Sequence, residues 1–411
     1  MKYVIGLRCK ECGSDYPIAP QHVCELCFGP LEVFYDYDAI AAEVSRETIA
    51  EGPQTLWRYG TLLPKPSEGV IDIGAGWGKL RPAPRLAAEL GLRKLWLKSE
   101  AGNPTHSFKD RVVTVALSVA RSFGYRVAAC ASTGNLANAV AAHAAASGME
   151  SVVFIPHDLE AGKVAGTVVY GGKVLAVRGS YDEVNRLCAE LVAETEDWAF
   201  VNVNLRPFYS EGSKTVGFEI AEQLGWRAPD VVVAPVASGS LLTKVAKGFR
   251  EFQRTGLIDS ADVTIHGAQA AGCSPVANAF AAGAEDVQPV KPNTVAKSLA
   301  IGDPADGYYV LKEVRENGGR VVAVPEEDVV AGIRLLARTE GLFTETAGGV
   351  TVSALESLVR EGAIGPDDET VILITGIGLK TLEALGPQEP TALIDADVEA
   401  AQAIVTGGVS Q

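Results

Sequence analysis

No apolar run in this chain of 411 residues is long enough to cross a bilayer. The opening Met1-Lys2-Tyr3-Val4-Ile5-Gly6-Leu7 lacks a charged segment followed by a long apolar core, so no secretory signal is expected and the protein reads as cytoplasmic. Basic charge is also short. Against 36 Lys and Arg stand 51 Asp and Glu, and the formal charge of −15 opposes approach to nucleic acid or an anionic membrane, so neither is expected as a partner. Small anions stay admissible, because backbone amides hold them whatever the net charge. The lysine-bearing phosphate-loop pattern does not occur, and no Gly-x-Gly-x-x-Gly follows the relevant strands, which weakens nucleotide readings.

What is present is the composition of an α/β enzyme: 47% hydrophobic residues and 43 glycines, with short apolar runs between turn residues. From Leu92 onward these runs alternate with helix-length segments, as at Lys94 to Lys98, Val127 to Ala131, Ser151 to Ile155, Lys173 to Val177, Phe200 to Val203, Val231 to Ala234, Val263 to His266 and Val371 to Ile374. Strand-helix alternation predicts parallel sheets, and the strands are too many for one. Two doubly wound parallel-sheet domains, with ligands at the strand carboxyl ends between them, account for the count. The expected division is a ribbon at 1–37, a larger domain from 38–109 and 206–387, a smaller mobile one at 110–205, and a tail at 388–411.

Four of the seven cysteines stand as Cys9-x-x-Cys12 and Cys24-x-x-Cys27. Two such knuckles can supply four thiolates to a tetrahedral zinc, leaving no open position, so the site reads as structural. The alternatives are two disulfides or ordinary buried thiols. Cys130, Cys188 and Cys273 stand singly in apolar surroundings and read as core.

Three loops and one lysine carry the chemistry. In Asn103-Pro104-Thr105-His106-Ser107-Phe108-Lys109-Asp110-Arg111 a lysine beside an aromatic residue opens a helix, where its amine could form an imine with an aldehyde cofactor and Phe108 could pack beside the ring. Alone, it would be read as a solvated lysine. After the strand Val127 to Ala131 come Ser132, Thr133, Gly134 and Asn135, gathering hydroxyls and amides at a helix start that could hold a carboxylate; the bland reading is a capped helix. After Val231 to Ala234 the small residues Ala237, Ser238, Gly239 and Ser240, followed by Leu241, suit a phosphate dianion at a helix start. After the last strand Thr375 offers a hydroxyl to a pyridine nitrogen. Arg81 and Lys98 are candidate substrate-side cations; His106, Asp110 and Arg111 have both site and surface readings.

Taken together, these motifs resemble the fold type II pyridoxal phosphate enzymes (tryptophan synthase β-like), and within them the threonine synthases. Similar stretches include Glu211-Gly212-Ser213-Lys214-Thr215, Gly267-Ala268-Gln269-Ala270-Ala271-Gly272, Ile301-Gly302-Asp303-Pro304 and Thr375-Gly376-Ile377-Gly378-Leu379-Lys380. The resemblance implies pyridoxal 5'-phosphate on Lys109, a small amino-acid phosphate as substrate, conversion of O-phospho-L-homoserine and water to L-threonine and phosphate, and a homodimer. Ser132, Thr133, Gly134 and Asn135 would grip the substrate. The chain departs from the pattern at Leu136, Ile377 and Thr381, and above all at Tyr209, where the family places an arginine for the substrate phosphate. Arg206, Lys214 or another cation would have to replace it. The alternatives are a β-replacement or β-elimination enzyme, such as a cysteate synthase or a threonine or serine dehydratase, and a non-catalytic amino-acid sensor.

Overall fold

The computed structural model describes residues 1–132 and 134–406. Three sheets organise it. The first is a three-stranded antiparallel ribbon of Val4–Cys9 between Asp15–Tyr16 and Leu31–Tyr35. Its own core is small, and it borrows from the body: the Tyr35 hydroxyl donates to Glu211 Oε2 at 2.7 Å, while Glu32 pairs with Lys244 and, at 3.2 Å, with Lys247.

The second sheet has six strands in the order Val321–Val324, Thr264–Ala270, Val231–Pro235, Thr370–Ile374, Leu95–Ser99 and Leu80–Pro82. All are parallel except the edge strand Leu80–Pro82. The third is fully parallel, in the order Lys173–Val177, Glu150–Pro156, Val127–Ala131 and Trp198–Phe200. Both central strands, Val231–Pro235 and Val127–Ala131, are buried at every position. That explains why they read as unbroken apolar runs: helices cover both faces, so no face needs polar residues. The expected parallel sheets are therefore both present.

Some local expectations need correction. The segment Asp38 to Ala50, read as one helix, is two, Tyr37–Glu43 and Arg46–Ala50, because Ser45 forms a capping box with Thr48 and starts a second. The Phe200 to Val203 strand ends at Phe200. Leu80–Pro82 and Val321–Val324 had no clear sequence signal, being short. Of Gly74 to Gly78, read as a flexible connection, the part from Ala75 on is packed: a β-carbon on Gly76 would fall 2.5 Å from the Leu56 nitrogen, and its N–H donates to Asn103 Oδ1. Cys130, Cys188 and Cys273 are buried, as their apolar surroundings suggest. Beyond Gly386 the tail holds one helix among the described residues, Val398–Thr406.

Candidate active site

The carboxyl ends of the two parallel sheets face a cavity of about 130 Å³. Lys109 stands in its wall as the first residue of the helix Lys109–Ser122. Its Nζ donates to the Tyr209 hydroxyl at 3.2 Å and lies 4.5 Å from the centre of the Phe108 ring. Burial pushes the ammonium down to about 8, with the Glu345 carboxylate opposing part of the shift. An amine in that range is a usable base near neutral pH.

The backbone that presents Lys109 is held by charge. Arg111, read from sequence as loop-orienting or as a surface cation, is fully buried. It donates to Glu100 Oε2 at 2.6 Å and to both carboxylate oxygens of Glu219, at 2.6 Å to Oε2. Asp110 accepts from the Thr105 N–H and hydroxyl, each at 2.9 Å, and meets His143 Nε2 at 3.0 Å. Lys98 is also fully buried and bonded to Glu219 at 2.6 Å, and Arg81 donates to the Glu340 carbonyl at 2.7 Å. Neither lines the cavity, so the reading of both as substrate-side cations is corrected. A lysine on a strand covered on both faces needs a buried partner, and Glu219 is that partner. His106 is exposed, bonded to the Ala101 carbonyl, and does not line the cavity.

Around Lys109 the cavity brings together Phe108, Ser132, Asn135, Arg206, Ala237, Ser238, Gly239, Ser240, Leu241 and Thr375, all named from the sequence. Gly134 does not line it; a β-carbon there would fall 2.1 Å from Lys163 Cδ, so its absent side chain makes room for a buried lysine stem. Thr133 lies outside the described residues. Ser132 Oγ accepts from the Gly134 and Ala137 N–H groups at 2.9 and 2.8 Å, which leaves the hydroxyl proton to donate.

The loop 238–240 has the shape of an anion cradle. Gly239 has φ of 99°, and a β-carbon there would meet Val310 at 2.7 Å and Asp306 at 3.0 Å. Ser240 opens the fifteen-residue helix Ser240–Arg254, and its Oγ is buried without a partner. An orphaned hydroxyl beside free helix-start amides fits a phosphate group.

Glu345 was not found from the sequence. It is almost fully buried, accepts from Asn135 Nδ2 at 3.0 and 2.8 Å, and from the Thr375 hydroxyl at 3.4 Å. Lys380 Nζ donates to Asn135 Oδ1 at 3.2 Å, so the asparagine is fixed from both ends. A signal existed: Glu345 precedes Thr346-Ala347-Gly348-Gly349, a run of small residues marking a tightly buried helix start. The two cations named for Tyr209 sit differently. Lys214 is fully buried between Glu211 and Glu251, at 2.6 and 2.9 Å, whereas Arg206 reaches the cavity wall.

The pyridoxal-phosphate dependent enzyme family matches residues 71–376 of this chain. The chain belongs to that family. This pyridoxal-phosphate dependent enzyme is 38% identical over 381 residues to a threonine synthase of Methanocaldococcus jannaschii, covering 92% of this chain and 93% of the other. It is 38% identical to one of Methanosarcina acetivorans over 98% of each chain. Among solved structures, the L-serine ammonia-lyase of Rhizomucor miehei superimposes with a TM-score of 0.63 at 23% identity, covering 75% of this chain and 97% of the other. Threonine deaminase isoform 2 of Solanum lycopersicum gives 0.61 at 22%, covering 75% and 83%. These two share the enzyme's fold, a fold type II architecture.

Its ribbon carries a second cluster. The Sγ atoms of Cys9, Cys12, Cys24 and Cys27 all lie within 4.8 Å of one another, and none is in a disulfide. Four converging thiols on two knuckles suit a soft tetrahedral metal ion. No helix among the described residues is long and apolar enough to cross a membrane.

Proposed function

We propose that this enzyme is a threonine synthase, a carbon-oxygen lyase that converts O-phospho-L-homoserine and water to L-threonine and phosphate. The observation that carries the reading is the set of curated threonine synthases at 38% identity along nearly the whole chain. Pyridoxal phosphate, when bound, supplies an electron sink for negative charge developing beside the amino acid's α-carbon. Ala237, Ser238, Gly239, Ser240 and Leu241 would hold its phosphate, with Phe108, Asn135 and Thr375 at its ring and Lys109 as its covalent anchor.

The chain's own groups do the rest. Lys109, its amine lowered towards neutrality and its Nζ steered by Tyr209, moves protons at the substrate's α- and β-carbons. Ser132, Thr133 and Asn135 hold the substrate carboxylate on amides and hydroxyls. Arg206 grips the substrate phosphate in place of the arginine that Tyr209 displaces, because a guanidinium matches a phosphate bidentately and a phenol does not. The smaller sheet domain, 110–205, closes on the larger one and excludes water until the β-carbon is ready to accept it. We assign the reaction to the cytoplasm and the working unit to a homodimer.

The test is phosphate release and threonine formation from O-phospho-L-homoserine. Stoichiometric products support the reading. A yellow protein that shifts its spectrum with amino acids yet releases no phosphate would overturn the substrate while keeping the cofactor, and phosphoserine with sulfite would be the next pair.

The thiol cluster we assign to structural zinc. Cys24→Ser is then expected to lower the melting temperature or soluble yield by more than it lowers turnover at saturating substrate. Unchanged melting with unchanged bound metal would refute the assignment.

A further inference from the structure

The reading of Arg206 as the substrate-phosphate ligand leaves open what holds its guanidinium. Arg206 opens the helix Arg206–Gln223, and its Nη2 donates to Asp306 Oδ2 at 2.8 Å. The side chain lines the active-site cavity and also a second, open groove whose far wall is the ribbon, through His22, Val23, Phe28 and Pro30. Thus one guanidinium stands between the reaction chamber and the cysteine module.

Asp306 does two jobs. Besides the carboxylate it gives Arg206, its N–H donates to the Ser238 carbonyl at 2.8 Å, and its Cβ and carbonyl oxygen lie where a Gly239 β-carbon would be 3.0 Å from each. The residue therefore seats both the arginine and the anion cradle. It immediately precedes the helix Gly307–Glu316, so any rotation of that helix start moves both.

That helix is tied to the ribbon. The Tyr309 hydroxyl donates to Glu11, and Lys10 Nζ lies 3.2 Å from the centre of the Tyr309 ring. Lys10 and Glu11 are the two residues between Cys9 and Cys12, so the first cysteine turn of the module is what touches Tyr309. We propose that the ribbon is a positioning element of the active site: its Cys9–Cys12 turn fixes Tyr309, Tyr309 fixes Asp306, and Asp306 aims Arg206 at the substrate phosphate. Tyr309 and Asp306 are positioning residues, touching no substrate. The proposal rests on the reading of Arg206 given above.

Preorganisation of this kind acts on binding of the anion. At saturating cofactor, Arg206→Gln raises KM for O-phospho-L-homoserine by about a hundredfold. Asp306→Asn raises it by roughly tenfold and Tyr309→Phe by about fivefold, with kcat little changed. The dissociation constant of inorganic phosphate, measured by calorimetry, rises in the same order. Asp306→Glu recovers part of the loss. Glu11→Gln, which leaves Tyr309 in place, reproduces Tyr309→Phe and serves if that variant folds poorly. If Arg206→Gln raises KM while Asp306→Asn and Tyr309→Phe only lower the melting temperature, the ribbon is mere scaffolding and this proposal falls alone. If Arg206→Gln leaves KM unchanged, the assignment of Arg206 falls and takes the proposal with it.

Discussion

Lys109→Ala is expected to give a folded protein that has lost its lysine-bound cofactor absorbance and on the order of 10⁴-fold in turnover. Two observations support the size of the effect. Lys109 is the lysine whose Nζ lies beside Phe108 and within reach of Tyr209 in the cavity wall, and burial lowers it to about 8. The other lysines near the site are committed elsewhere: Lys380 bonds the Thr105 carbonyl and Asn135, and Lys163 is buried against Gly134. None can take over the proton at the reacting carbons. Folding is expected to survive because alanine suits the first turn of a helix and Lys109 makes one side-chain hydrogen bond among the described residues, to a tyrosine that keeps its place. Visible absorbance, phosphate release and the melting curve of the variant are the measurements. A variant that keeps the protein-bound colour and a tenth of the turnover would remove Lys109 from the mechanism.

Arg111→Met carries the largest expected effect on stability, a loss of about 3–5 kcal/mol. The methionine roughly fills the space, but two buried carboxylates, Glu100 and Glu219, lose their shared guanidinium. Lys98 remains for Glu219, and Asn103 for Glu100 at 2.7 Å, which is too little for both charges. The pH dependence gives a second check. Burial alone would push Glu219 up, yet Arg111 and Lys98 outweigh it and hold the carboxyl at about 2 against an ordinary 4.5. A carboxyl lowered on folding contributes stability fully above pH 4.5 and loses it as the pH falls through about 2. The wild-type urea midpoint should therefore fall across that window, and the slope should shrink in Arg111→Met. An unchanged midpoint at pH 7 would show that the cluster is not a stabilising unit.

Sequence reading reached much of this architecture because its signals are local. A strand buried on both faces is an apolar run, and a cofactor loop is a cluster of small residues and hydroxyls where the run stops. Val127 to Ala131 followed by Ser132, and Val231 to Ala234 followed by Ala237 to Ser240, are of this kind. The partners that complete the site are distant in sequence and have no such signature. Glu345 meets Asn135 across 210 residues, and Asp306 meets Arg206 across 100. Charged residues in the buried layer were misassigned for the same reason. Lys98 and Lys214 read as available cations one at a time, and only the fold shows that each is in direct contact with a buried carboxylate.

The strand order of the six-stranded sheet has a consequence for how the chain is made. Thr370–Ile374 lies between Val231–Pro235 and Leu95–Ser99, joining two blocks whose strands are otherwise not neighbours. On the ribosome, both flanking strands are finished long before their common partner emerges. Until residue 374 is clear, each presents an open row of N–H and C=O groups on an apolar strand, the surface most apt to pair with another chain. Final closure of the large core is thus a late, long-range event, slow by topology. A nascent or truncated chain that stops short of Thr370 would hold its finished catalytic loops on two half-sheets with nothing to join them.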